Sequence, residues 1–311
     1  MKKSKLKVTN TETFGIQRKM VAAITTQSWE KIPHVGYTYE PVVTEFFEEY
    51  KKLNENRSED NKITFNTLML RVIVEGLKAA PAMNAHITYN KHLVRGTIKT
   101  FENINISMAT VLPNGEMMTT NLHDFQDKSL DEMTRYIADL RRRMSQTNLN
   151  EAMYQVSFNR TINTVKQGKV VEAGLRILGA KTGKNKVKTL KGKAKREYNK
   201  IPVTERLGDA DIEQGTVTIS NLGSLYLQQK GFPTLLEIIP PQVSAFAVGA
   251  VIEKPVVSVN KNNIKEISIG KVLPICIAFD HRALDFGDII PFIKRLDNIF
   301  AEPKQIHQWV D

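Results

Sequence analysis

The chain has 311 residues, 41% of them hydrophobic, and 44 Lys and Arg against 33 Asp and Glu give a formal net charge of +11. That length suits one large domain or two small ones with a sizeable core, and the single cysteine, Cys276, excludes an internal disulfide. No apolar run approaches the roughly 18–20 residues of a membrane span, and the basic start Met1 to Lys5 lacks the apolar stretch of a secretory signal, so a soluble, cytoplasmic protein is expected.

The spacing of apolar residues predicts a first helix over 15–29, carried by Ile16, Met20, Ala23 and Ile24. Pro33 closes the connection to a strand from His34 to Val43, and Thr44 to Leu53 follows as a helix. Thr64 to Ala80 is strongly apolar and stops before Pro81, the pattern of a buried helix. Ile87 to Tyr89 and Leu93-Val94 predict a hairpin around Asn90-Lys91. A second hairpin, 104–112 with 116–121, turns at Pro113-Asn114-Gly115, where Asn-Gly tolerates positive φ. Ser129-Leu130-Asp131-Glu132 is a capping box opening a helix to about Met144. Near the C-terminus the apolar run Val272 to Ala278 reads as a buried strand holding Cys276 as an inert thiol, and a last helix is expected over about 288–300. Long helices mixed with largely antiparallel strands predict an α+β fold: two layers, with a mixed, mainly antiparallel sheet and helices packed on one side.

Residues 181–200 hold nine Lys or Arg and one acid, Glu197, and so carry eight of the eleven net charges. The basicity is therefore local. Before this run, Leu149, Met153, Val156, Ile162, Val165, Val171, Leu175 and Leu178 fall at helical spacing and predict one or two amphipathic helices. The Gly-Lys stretch 181–196 has almost no apolar residues and reads as mobile. The whole run 181–200 has one aromatic residue, Tyr198, which supplies no base-stacking platform, so only non-specific phosphate attraction would be expected of it. The six His are scattered with no metal-ligand spacing, and no phosphate loop of Walker type is present.

The chemistry concentrates in Phe279-Asp280-His281-Arg282-Ala283-Leu284-Asp285-Phe286-Gly287-Asp288. A strand end is a rigid platform on which an imidazole can be aimed, and imidazole gains and loses a proton near neutral pH. Asp280-His281-Arg282-x-x-Asp285 resembles the D-H-R-x-x-D-G signature of the acyltransferase (E2) catalytic domain of 2-oxo acid dehydrogenase complexes, a fold shared with chloramphenicol acetyltransferase. Thr216 to Gly223 is similar to that family's F-T-I-S-N-L-G segment, and Pro240-Pro241 and a strand, 245–251, follow in family order. Weaker echoes are Arg18-Lys19-Met20, Ile32-Pro33-His34 and Pro81-x-x-Asn84-Ala85. The resemblance spans about 12–145 and 212–300; family members connect these parts by a short loop, so 146–212 reads as an insertion within a single catalytic domain, 1–311.

The resemblance implies a CoA-dependent acyltransferase that moves an acyl group between coenzyme A and a lipoyl-type thiol. His281 would be the general base and Ser220 the oxyanion donor, with no acyl-enzyme. Asp285 would support the site or act as a second carboxylate base, and Arg282 or Arg18 could pair with it. Arg18, Lys19, Asn221 and Arg282 are the candidates for holding coenzyme A or steadying the site. A homotrimer is implied, with His281 of one subunit facing Ser220 of the next. No metal is expected. No lipoyl or peripheral-subunit-binding domain is present in the sequence, so the lipoyl group would arrive on another chain. A lipoylated or acyl-carrier protein could dock on the basic run 181–200.

Several residues depart from the pattern. Phe286 stands where the signature has glycine, expected to bulge the helix start or narrow the channel beside His281. Gly115 to Thr120 replaces a proline-containing strand, and the tail Lys304 to Asp311 differs from the family's short apolar end. Phe286 and Met117-Met118 open the alternative of an amine or hydroxyl acceptor. A non-catalytic scaffold or regulator is a further alternative, against which an intact His281 and Ser220 argue.

Overall fold

The computed structural model describes residues 6–111, 117–166, 170, 174–175, 177–178, 182, 189–259 and 263–310. The chain forms two compact units, 1–23 with 143–212 and 24–142 with 213–311.

The larger unit is built on a six-stranded sheet of order β1-β10-β7-β6-β4-β5. Its strands are β1 (His34–Tyr39), β4 (Ile106–Val111), β5 (Met117–Leu122), β6 (Val217–Asn221), β7 (Ser244–Val248) and β10 (Ile275–Asp280). β1–β10, β10–β7 and β4–β5 pair antiparallel, whereas β7–β6 and β6–β4 pair parallel. The sheet is thus mixed and mainly antiparallel, in the α+β class expected. Two separate hairpins complete the strands: β2 (Ala85–Asn90) with β3 (Arg95–Thr100), and β8 (Ile252–Val259) with β9 (Lys265–Val272).

The two faces of the sheet differ because strand residues alternate. One face carries Tyr39, Ile277, Phe246 and Ile219 and takes helix α8 (Phe286–Ala301), against which α2 (Thr44–Asn54) and α3 (Phe65–Ala79) pack in turn. Phe246 stacks on Phe292 of α8 with ring centroids 5.0 Å apart. Gly76 of α3 permits the close approach of α3 to α8, since a Cβ there would lie 2.5 Å from Phe292. The other face carries small residues, Gly36, Ala245, Ala247, Cys276 and Ala278, and is covered by Ile32, Leu236 and Ile238. Burial pushes the Cys276 thiol up to about 11, which keeps it protonated and unreactive.

In the smaller unit, α5 (Leu149–Lys166) buries Ala152, Met153 and Val156. Arg143, near the end of α4 (Leu130–Ser145), pairs with Asp211 of the short α7 (Asp209–Ile212) through contacts of 2.6 and 3.0 Å. Glu151 is buried and accepts from Leu190 N and Lys195 Nζ. Lys195 lies on α6 (Gly192–Lys200), so the end of the basic run is helical rather than irregular. Residues 183–188 and Val171 lie outside the described residues, and Ile162, Leu175 and Leu178 are exposed.

Other differences are local. The apolar run 272–278 is the end of β9, a break at Leu273-Pro274, and then β10. Leu93 and Val94 lie in a turn, not a strand: Asn90 Oδ1 accepts from the amides of His92 and Leu93, and Val94 has φ 49°. Strand β1 stops at Tyr39. The capping box at Ser129 forms, with Glu132 Oε2 on Ser129 N at 2.8 Å and Ser129 Oγ on Glu132 N at 3.2 Å. No helix among the described residues is long and apolar enough to cross a membrane.

Candidate active site

His281 follows directly on β10 and opens the turn that leads to α8. Its backbone N–H donates to Pro33 O, fixing the turn to the entry of β1. Asp280, fully buried, accepts from Arg282 Nε at 3.0 Å, Arg282 Nη2 at 2.6 Å and the Arg282 backbone N–H at 3.0 Å. Arg282 also lies 5.5 Å over the Tyr89 ring. Asp280 and Arg282 therefore clamp each other across the histidine, and their own hydrogen bonds force the intervening side chain outward.

The His281 ring has about half its side chain exposed. Its Nδ1 is 3.2 Å from Leu284 O and 3.3 Å from Asp285 Oδ1. Both neighbours are acceptors, so Nδ1 carries the hydrogen of the neutral ring and Nε2 presents its lone pair. Nε2 has no hydrogen-bond partner among the described residues. Asp285 also caps α8, and its N–H donates to Asp288 Oδ2 at 2.8 Å. Helix α8 starts at Phe286 behind the Asp285–Asp288 capping box, and the Phe286 ring lies 5.2 Å from that of Tyr37 between centroids. Asp285 does not pair with Arg282, whose guanidinium is held by Asp280.

Ser220 lies on β6 beside Ala247, which in turn faces Cys276 of β10. It is 8% exposed, and its hydroxyl hydrogen-bonds to no described residue. Because β10 runs against β6 and β7, His281 leaves the sheet at the edge opposite Ser220. Five residues of strand rise and two strand spacings separate them, on the order of 15–20 Å. Within one chain the two side chains are not brought together. Asn221 is the next residue and borders a cleft of about 720 Å³; its Oδ1 accepts from Ser224 N at 2.9 Å. Arg18 and Lys19 stand on the first turn of α1 (Ile16–Lys31), in the smaller unit, with Arg18 exposed.

Two features escaped the sequence reading. The Asp280–Arg282 clamp had a local signal, opposite charges two residues apart at a strand end. The cleft had none, since it depends on which strands are neighbours.

The model of the 2-oxoacid dehydrogenases acyltransferase (catalytic domain) family matches residues 7–168 and 185–308. The chain belongs to this acyltransferase family. Among curated relatives, the dihydrolipoyllysine-residue acetyltransferase component of the pyruvate dehydrogenase complex of Zymomonas mobilis is 23% identical, over 92% of this chain and 48% of its own length. The component of the same name from Corynebacterium glutamicum is 22% identical, over 74% of this chain and 24% of its own length. The chain thus spans about a quarter to about half of these relatives. Among solved structures, Azotobacter vinelandii dihydrolipoamide acetyltransferase superposes with TM-score 0.63 at 18% identity, covering 96% of this chain and 93% of that one. That structure was solved to study the catalytic roles of a serine, a histidine and an asparagine four residues beyond the histidine. A truncated catalytic core from Thermoplasma acidophilum gives TM-score 0.58 at 18% identity, covering 94% and 98%. The fold of this family member is that of the acyltransferase catalytic cores.

Proposed function

We propose that this chain transfers an acyl group between coenzyme A and a dihydrolipoyl-type thiol, in sites shared between copies of a homotrimer. The observation that carries the reading is the setting of His281: its Nδ1 lies 3.2 Å from Leu284 O and 3.3 Å from Asp285 Oδ1, two acceptors, which leaves Nε2 to present a lone pair. Nε2 takes the proton of the attacking thiol. The thiolate adds to the thioester carbonyl, forming the new C–S bond. The oxyanion accepts a hydrogen bond from the Ser220 hydroxyl, which hydrogen-bonds to no described residue. The tetrahedral intermediate then collapses, the old C–S bond breaks, and the departing thiolate recovers the proton from Nε2. Asp285, four residues after the histidine as the asparagine is in the Azotobacter protein, orients the ring and stabilises its cationic form.

The wide separation of Ser220 and His281 supports a site completed by a second copy. We further read residues 1–311 as one catalytic domain with an insertion at about 146–212, cytoplasmic, receiving its lipoyl group on a separate partner. Lys191, Lys193 and Arg196, exposed on and before α6, are the described part of a docking surface for an acidic lipoylated or acyl-carrier protein. Its on-rate should fall steeply with salt and with deletion of 181–200; an on-rate indifferent to both would remove this partner.

The test of the reaction is acetyl transfer from acetyl-CoA to dihydrolipoamide by the full chain beside His281→Ala. Turnover that drops by about 10³–10⁴ in the variant supports the reading. A folded trimer without turnover transfers the site to the second reading, an amine or hydroxyl acceptor. Phe286, 46% exposed where the family signature has glycine, favours that alternative.

A further inference from the structure

Asp280 is fully buried, and every hydrogen bond its carboxylate receives from the described residues comes from Arg282. A buried carboxylate that loses its counter-charge is strongly destabilising, so this pair decides whether the turn carrying His281 keeps its shape. The turn alone does not seal the pair, since the Arg282 side chain is 23% exposed. A contact from a distant segment also reaches it: the guanidinium carbon lies 5.5 Å over the centre of the Tyr89 ring. Tyr89 stands near the end of β2, on a hairpin whose second strand, β3, is exposed along its whole length. The Tyr89 hydroxyl hydrogen-bonds to no described residue, so the ring face is what the residue brings to Arg282. Backbone bonds seat this hairpin beside the same turn. Ile87 N donates to Pro241 O at 2.8 Å, Val243 N donates to Ala85 O at 3.2 Å, and Asp280 N donates to Val243 O at 2.9 Å. The frame that carries Tyr89 therefore shares Val243 with the strand that ends at Asp280.

We propose that Tyr89 is a positioning residue for His281. Its ring face attracts the guanidinium and keeps it flat. Arg282 is thereby held on Asp280, and the turn that presents the imidazole stays closed. The inference rests on the acyl-transfer reading for its kinetic consequence; its structural consequence is read without turnover. In Tyr89→Leu a side chain of comparable bulk has no ring face, so Arg282 is freer to swing into water and the turn opens more often. The amides that report such opening are fixed by their bonds. Arg282 N donates to Asp280 Oδ1, Ala283 N and Leu284 N to Asp280 O, and Asp285 N to Asp288 Oδ2.

The experiment is hydrogen exchange followed by mass spectrometry, with acetyl-transfer kinetics beside it, on the full chain, Tyr89→Leu and Tyr89→Phe. In Tyr89→Leu the amides of 282–285 should exchange about fivefold faster, with the rest of the larger unit exchanging as before. Its kcat should fall about fivefold at an unchanged KM, the mark of an interaction made only in the transition state. Tyr89→Phe keeps the ring and should match the wild-type chain in both measurements. Unchanged exchange at 282–285 in Tyr89→Leu overturns the proposal. Equal damage in Tyr89→Phe overturns it too, because the hydroxyl and not the ring face would then matter. Faster exchange spread through the whole unit makes Tyr89 a packing residue and also overturns it. So does a local rise in exchange with wild-type kcat, since the histidine is then aimed without Tyr89. The local pattern in a chain that transfers no acetyl group to dihydrolipoamide supports the hold of Tyr89 on the turn and removes the proposed acceptor instead.

Discussion

The two ends of the central sheet are built in opposite ways. At the β10 end, every group around His281 is committed: Asp280 to Arg282, the His281 amide to Pro33, Nδ1 to Leu284 and Asp285, and the Asp285 amide to Asp288. At the β6 end, the Ser220 hydroxyl hydrogen-bonds to no described residue. The histidine is aimed by its own local sequence.

The comparison is broken most directly at the histidine. His281→Ala is expected to lower acetyl transfer by about 10³–10⁴ with an unchanged melting temperature, measured by steady-state kinetics and calorimetry. An equally strong loss of stability would make the residue structural. Ser220→Ala should lower kcat by about 10²–10³. Co-assembling the two inactive variants sharpens the contrast: mixed oligomers should regain a fraction of the activity, because some interfaces then unite an intact His281 with an intact Ser220. Absence of any recovery would argue for a site within one chain. Asp280→Asn leaves the Arg282 charge without its buried partner and should destabilise the unit by about 3 kcal/mol in denaturant titration, with the histidine losing its aim.

The smallest effect lies away from both ends. His86 is half-buried, and burial lowers its pKa while its ring meets Gly215 O at 3.4 Å. The unfolded imidazole therefore takes up a proton at a higher pH than the folded one. Stability should decline as pH falls below about 6.5. His86→Gln should reduce that decline, as read from melting temperatures between pH 7 and pH 5.

The contrast between the ends also explains what could be read without coordinates. The Asp280–Asp285 turn is a contiguous stretch whose interactions span at most a few residues, so its residues announce it. The capping box at Ser129 and the stop before Pro81 are local in the same sense. The β8–β9 hairpin was not assigned, because its alternating Val257, Ile267 and Ile269 face solvent instead of a core, and periodicity then marks no inside. Leu93 and Val94 are apolar yet not strand, because Asn90 closes a turn over them and apolar character alone does not distinguish the two. The cleft was illegible because β4, β6 and β7 are separated by long stretches of chain, and only their parallel pairing places Met108, Asn221 and Gly249 together.

The burial of Cys276 has a practical consequence. The chain's one thiol lies in the middle of the sheet with its proton held firmly. Maleimide and iodoacetamide reagents should pass it by, so the native sequence already serves as a silent background for site-directed labelling. A fluorophore attached through Leu227→Cys, at a position that lines the cleft and is 77% exposed, would report on that cleft alone. Distances between such labels on neighbouring copies could then be measured without removing a single natural residue.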